Sequence, residues 1–569
     1  MYIEKLQEII KKVMIELGYE TEPRVILSNR PDLCDVQCDD CFKLAKEYHK
    51  NPREIGEQIV QKLSSFENKD DYFQSVEFVA PGFINMRMSD KFIDAYIRRM
   101  IEDDHFDLTK PETPELFYLD YGGANVAKPL HVGHLRPAII GESINRILRF
   151  AGHATISDAH LGDYGLQIGE IIYAIKRDYA DIPLEDIEFD MTYLDKVYPE
   201  MSALCKQDSA ILEKCEQITK ELQEGREDYQ FLWKKIYAIS IVEIEKIYGY
   251  LDVKFDYWYG ESECYPMIPE MKAHYEKLGC VIESEGAKVI EVKEDTDNKE
   301  MPPFILEKSN GASLYSTTDL ACIYERMQRH HPDHILYVVD ARQGLHFEQV
   351  FRAAKKGGFM GNTTLEHIGF GTINGKDGKP FKTRSGETLK LAGLIEDVKE
   401  TFLNLKESNK DMSSEDIDKI VNAIIKFADL QNNLEKNYIF DIEKFASVVG
   451  KTGPYILYTY LRINKILEDT PVKASLSDSI YNEYDRNLRL KLLELQNSID
   501  LAVAERRPHY IADYVYNLCV LANNFYQNNY LSGLESGTKK DDWMLIITLT
   551  NRLIKELLNL LVIEIPSSM

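Results

Sequence analysis

The amino-acid sequence predicts a multidomain α/β protein: an N-terminal α+β domain, a parallel-sheet domain with a helical insertion, and a C-terminal all-α helical bundle. Four observations carry that expectation. The chain has 569 residues, several times a typical domain, so a single core is not enough for it. A short apolar run from Leu116 to Tyr121 ends in Gly122-Gly123 and leads into a helical pattern. A second continuous apolar run, His334 to Asp340, suits a strand buried on both faces. Beyond Asp416 the pattern is almost entirely helical, with no strand signal of comparable strength.

Residues 1–110 open with an amphipathic helix, in which Glu4, Lys5, Glu8, Lys11 and Lys12 interrupt apolar residues at helical spacing. Helical periodicity returns from Pro52 to Val60, and Ser75 to Met86 alternates around a turn, which makes a small α+β module. The segment Glu102 to Pro114 lacks periodicity and is rich in breakers, so it reads as a linker. A new domain is expected over residues 111–400. There, Leu135 to Phe150 repeats apolar residues at Ile139, Ile140, Ile144, Ile147 and Leu148, with Gly152 where a helix would stop. Strand, glycine loop and helix in that order form the first half of a nucleotide-binding βα unit. An acidic helical insertion is expected near residues 175–250, a helical connection over 401–451, and a helical domain over 452–569.

Charge and composition narrow the function. Lys and Arg number 68 against 94 Asp and Glu, a net −26 that disfavours general capture of polyanions. DNA and membranes are therefore not expected partners. The start of the chain has no unbroken apolar core of the kind a signal peptide needs, and Asn551, Arg552, Lys555 and Glu556 break the late apolar stretch, so a cytoplasmic protein is expected. The nine cysteines form no evident disulfide framework. Cys34, Cys38 and Cys41 lie close enough to offer thiolates to zinc, with His49 as a fourth ligand, or are simply reduced thiols at a loop and helix start.

Two segments carry chemistry. In Asn125-Val126-Ala127-Lys128-Pro129-Leu130-His131-Val132-Gly133-His134-Leu135-Arg136 two histidines flank a glycine at the start of a helix, where free N–H groups can receive phosphate. Imidazoles can donate to phosphoryl oxygens as charge moves onto a leaving group, and Lys128 adds fixed positive charge. The second segment, Gly375 to Gly386, is glycine-rich and basic, with Lys379, Lys382 and Arg384 placed to grip a triphosphate. Residues 121–150 and 374–390 each sum to +3, local cationic sites in an acidic chain that fit one specific anion. ATP is the expected ligand.

With Leu161-Gly162-Asp163-Tyr164-Gly165-Leu166-Gln167-Ile168-Gly169, Val79 to Asn85 and Gly453 to Ile463, these segments make the chain resemble the class I aminoacyl-tRNA synthetases, and within them the arginyl-tRNA synthetases, over nearly its whole length. The resemblance implies a Rossmann-type catalytic domain, an N-terminal additional domain that contacts the tRNA, and a helical anticodon-binding domain. It implies an arginine-tRNA ligase that activates L-arginine with ATP, Mg2+ accompanying the nucleotide without a protein metal site. Arginyl-adenylate then passes its arginine to the 3′-terminal adenosine of tRNA(Arg), with AMP and pyrophosphate released.

The same resemblance assigns site residues. His131, Gly133 and His134 hold ATP. Phe381-Lys382-Thr383-Arg384-Ser385 replaces the class's Lys-Met-Ser-Lys-Ser, so the usual second lysine is an arginine, and Lys128 takes a phosphate role as in similar members of the family. Arginine would be bound by Asn125 and His131 at its amino acid end and by Tyr315, Asp319 and Gln343 around the side chain, with Asp120 and Glu261 as further acceptors. Tyr315 and Asp319, four apart, share a face if the stretch is helical, and a guanidinium needs such a fork of acceptors. Tyr455, Tyr458 and Arg462 are candidates for stacking on tRNA bases and holding phosphates, and the chain is expected to be a monomer. A related nucleotidylyltransferase that adenylates a small molecule without RNA would form product without tRNA. A noncatalytic RNA-binding relative would form no AMP.

Overall fold

Apolar residues at Leu6, Ile9, Ile10, Val13 and Met14 fall on one stripe of the first helix, Tyr2–Glu16, and all five are buried. The computed structural model describes residues 2–28, 30–309, 311, 314–379, 389–405, 411–468, 475–531 and 537–569. They divide into two compact units, one of residues 1–110, 458–500 and 513–557, the other of 111–457, 501–512 and 558–569.

In the first unit, β1 (Val25–Leu27), β2 (Val36–Cys38), β3 (Phe73–Val79) and β4 (Phe83–Met88) form an antiparallel sheet in the order β1-β2-β4-β3. Helices Pro52–Ser64 and Asp90–Glu102 start on Asn51 and Ser89, whose side chains accept the N–H of Arg53 and Phe92. Helix Glu483–Leu493 faces this module with two arginines. Arg486 meets Asp35 at 2.6 Å, and Arg489 lies fully buried between Asp94 and Asp485, its Nε 2.7 Å from Asp485. Burial pushes the Asp94 carboxyl up to about 6 in spite of Arg489. Cys34 donates to Ser28 Oγ at 3.1 Å and Cys38 to Asp40 Oδ2 at 3.2 Å; burial raises the Cys41 thiol to about 11. Among the described residues no group of three His, Cys, Asp or Glu side chains could hold a metal ion.

The second unit begins with β5 (Leu116–Asp120) and β6 (Ala154–Asp158). An antiparallel sheet of β7 (Val281–Ser284), β8 (Ala287–Ile290) and β9 (Phe304–Glu307) follows, then β10 (His334–Tyr337) and β11 (Thr364–His367). The main sheet is parallel throughout, in the order β11-β10-β5-β6. The chain thus leaves β5 to one side for β6 and later returns on the other side for β10, which opens a crevice at the carboxyl ends of β5 and β10. Helix Leu135–Phe150 lies so close to the end of β5 that a Cβ on Gly141 would sit 2.1 Å from Tyr121 Cγ. Pro137 falls in that helix's first turn, where its missing N–H costs nothing.

The acidic insertion forms three helices, Met191–Gln207, Ser209–Gln223 and Glu227–Tyr250. One departure from the all-helical reading beyond Asp416 is β13 (Tyr438–Ile439), which pairs in parallel with β12 (Ile373–Asn374). Two residues are too few to alternate, so periodicity could not reveal it.

Candidate active site

The loop after β5 delivers the HxGH segment to the mouth of the crevice. The N–H of His131 donates to His134 Nδ1 at 3.0 Å, and the N–H of Gly133 donates to His131 Nδ1 at 3.0 Å. With both Nδ1 atoms accepting, each neutral ring carries its proton on Nε2 and keeps it as a donor. Burial, then the neighbouring ring and Lys128, pushes His134 down to about 3; burial and Lys128 lower His131. Both rings therefore present neutral N–H donors rather than imidazolium ions. A Cβ on Gly133 would come within 2.8 Å of His131 Cε1 and displace the ring. Arg136 turns away from the site, with its Nε 2.9 Å from Asp429 and Nη1 donating to Gly371 O at 2.7 Å.

The two basic segments meet through their backbones. Val132 N–H donates to Leu389 O at 3.1 Å, Leu391 N–H to Leu130 O at 2.9 Å, and His131 and Lys390 form an antiparallel bridge. Upstream, β12 leads into a turn closed by Gly375 N–H on Lys379 O at 2.8 Å; Lys379 is exposed there, and Lys376 lies 3.1 Å from Glu443. Lys382 and Arg384 lie outside the described residues. Lys128 holds its ammonium 4.1 Å from the centre of the Tyr198 ring, and Lys390 lies 2.8 Å from Asp195.

Behind the HxGH segment a cleft of about 230 Å3 brings together Gly133, His134, Asp120, Asn125, Glu261, Tyr315, Asp319 and Gln343. His131 is not among its lining residues. Tyr315 and Asp319 lie in the first turn and a half of helix Tyr315–Arg329, on one face as their spacing requires. The negative charge of Asp319, then burial, then Glu261 and Asp120 hold the Tyr315 phenol well above its ordinary range, although 63% of the residue's surface is exposed. Burial, aided by Asp163 and Asp319 and opposed by His160, pushes Glu261 up to about 7. So many carboxyl groups in one wall strain against one another, and a cation relieves them.

Three partners were not foreseen from the sequence. His346 donates from Nε2 to Asp319 Oδ2 at 2.6 Å. Gln167 donates to Asn125 Oδ1 at 3.1 Å, which assigns the oxygen as acceptor and leaves the Asn125 NH2 as a donor. Asp120, expected as an acceptor for substrate, gives Oδ2 to the buried Arg326 at 2.7 Å; Arg326 also meets Asp158 at 3.0 Å. Its charge is therefore largely spent inside the protein, and Asp319 and Glu261 remain as the principal acids facing the cleft. Gln167 lies within a segment already singled out and His346 three residues after Gln343, but neither had a spacing that marked it.

Farther along the chain, helix Gly453–Glu468 carries Tyr455, Tyr458 and Arg462. Tyr458 is 46% exposed, and Arg462 stacks on the Tyr526 ring at 4.1 Å.

Comparison with known proteins matches three family signatures along the chain: "Arginyl tRNA synthetase N terminal domain" over residues 2–88, "tRNA synthetases class I (R), catalytic domain" over 100–442, and "DALR anticodon binding domain" over 456–569. The chain is 42% identical over 589 residues to an arginine-tRNA ligase of Alkaliphilus oremlandii, with all of both chains covered. It is 41% identical to that of Agathobacter rectalis, with 100% and 99% covered. Among solved structures it resembles the arginyl-tRNA synthetase of Plasmodium falciparum, with TM-score 0.83 and 26% identity over 100% of this chain and 99% of that one. The Thermus thermophilus enzyme shares the fold at TM-score 0.81 and 22% identity over the whole of both chains. Among the described residues no helix is long and apolar enough to cross a membrane.

Proposed function

Since the chain belongs to the arginyl-tRNA synthetases and is an ATP-using arginine-tRNA ligase, we propose a division of labour among its own residues. The observation that carries it is the placement of the acidic wall of Asp319 and Glu261, with Tyr315, in the same cleft as Gly133 and His134. A guanidinium set between Tyr315 and Asp319 would satisfy acceptors that otherwise repel one another, and Gln343 closes the same end. Asn125, its oxygen held by Gln167, offers N–H donors to the substrate carboxylate.

Activation is in-line attack of that carboxylate on the α-phosphorus, with pyrophosphate leaving. The protein's part is positioning and stabilisation of spreading negative charge. The Nε2–H groups of His131 and His134 donate to phosphoryl oxygens, and Lys128 and the Lys379-to-Arg384 segment supply fixed positive charge. Mg2+ bound with the nucleotide would offset part of the phosphate charge. Residues 1–110 and the helix bearing Tyr455, Tyr458 and Arg462 are assigned to the tRNA, and the enzyme acts as a cytoplasmic monomer.

The test is aminoacylation of total tRNA with each amino acid in turn, followed by Asp319→Asn. Only arginine should be charged, and the substitution should raise KM for arginine by about a hundredfold, the worth of losing one strong charge pair in a desolvated site. Unchanged selectivity in the folded variant would remove Asp319 from the pocket.

A further inference from the structure

The acidic helical insertion contributes nothing to the lining of the cleft, yet one face of its first helix, Met191–Gln207, touches both ends of the cationic apparatus. Asp195 and Tyr198 are three apart and share a face of that helix. Asp195 Oδ2 holds Lys390 at 2.8 Å, and the Tyr198 ring holds the Lys128 ammonium at 4.1 Å. These two lysines bracket one structure. Lys128 stands three residues before His131, and Lys390 is the partner of His131 in an isolated antiparallel bridge. The side chains of a single helical turn thus gather the two lysines that stand beside the HxGH segment.

A lysine side chain has four rotatable carbons, and an ammonium left to water would spread over many positions. The face of an aromatic ring gives it one favoured location without neutralising it, because the attraction is to the ring quadrupole and not to a counter-ion. The charge stays available. Burial is the main reason that both HxGH rings resist protonation, and the charge of Lys128 adds to it, so its field reaches the groups that would meet phosphate. A carboxylate in the place of Tyr198 would cancel that field; a phenol ring does not. At Lys390 the opposite holds: Asp195 pairs with the ammonium and ties the backbone bridge at His131 by its side chain.

We propose that Tyr198 and Asp195 are positioning residues of the ATP site, the ring of Tyr198 presenting Lys128 to the triphosphate and Asp195 fixing the Lys390 backbone beside His131. The inference rests on the phosphate role given to Lys128 above, and the experiment separates the two. KM values for ATP and for arginine are measured in tRNA aminoacylation for the full-length enzyme and its Tyr198→Leu, Tyr198→Phe, Asp195→Asn and Lys128→Ala variants. Circular dichroism checks the fold of each.

Tyr198→Leu should raise KM for ATP about two- to fivefold, the range of an exposed cation–π contact, and leave KM for arginine alone. Tyr198→Phe keeps the ring face and should restore the wild-type value, which a tyrosine acting through its hydroxyl would not explain. Asp195→Asn should also raise KM for ATP alone. If Lys128→Ala raises KM for ATP while Tyr198→Leu does not, the ring is idle and the inference falls, with the role of Lys128 intact. If Tyr198→Phe is as impaired as Tyr198→Leu, the hydroxyl matters and the ring-face account fails. If Lys128→Ala itself leaves KM for ATP unchanged, both readings fall together.

Discussion

Glu261 keeps its proton up to about pH 7 because burial and the charges of Asp163 and Asp319 disfavour its ionised form. A guanidinium entering beside Asp319 reverses that balance and pulls the Glu261 pKa down, so arginine binding at pH 6.5 should release a proton and tighten as pH rises toward 7. Calorimetric titrations in two buffers of different ionisation enthalpy should give different apparent heats for the wild type and equal heats for Glu261→Gln. Equal heats for the wild type would show that Glu261 does not yield the proton. The placement of Tyr315 and Asp319 side by side was readable in the sequence, because a spacing of four puts two side chains on one helical face. His346 and Gln167 were not. Each acts by bonding a residue distant in the chain, and no local pattern encodes which distant residue that is. The pairing of Asp120 with Arg326 escaped for the same reason, since 206 positions separate the partners.

Helix Leu135–Phe150 shows what an element owes to one missing side chain. Its Gly141 lets the helix lie on Tyr121, which holds its own hydroxyl 2.7 Å from Glu142 of the same helix. Gly141→Ala should therefore cost about 1–3 kcal/mol or more through overpacking, although alanine is the better helix former. Urea unfolding would register it as a lower midpoint; an unchanged or raised midpoint would mean that the contact relaxes freely. Strand β5, this helix and the strand β10 were all legible from apolar runs and spacing. Pairs such as β12 with β13, or Leu389 to Leu391 against Leu130 to Val132, consist of two or three residues each. They are held by backbone bonds that side-chain periodicity does not report.

At the level of the whole molecule, the charge count located two basic segments in an acidic chain, and the structure joins them at His131 and Lys390. It did not foretell that residues 1–110 share a compact unit with residues 458–500 and 513–557. Within that unit Arg489 is fully buried between Asp94 and Asp485. Arg489→Met should cost about 3–5 kcal/mol, because it leaves two carboxylates buried without their cation. Replacing Asp94 by Asn and Asp485 by Asn as well should recover much of the loss, and differential scanning calorimetry of the single and triple variants would tell. That interleaved unit also has a timetable. Asp35 and Asp94 leave the ribosome early, whereas Arg486 and Arg489 emerge only after residues 111–457 of the other unit have been translated, a delay on the order of 20 to 80 seconds at ordinary elongation rates. For that interval the newborn N-terminal segment must stay soluble with an unfinished face, and its surplus of acids is well suited to the wait.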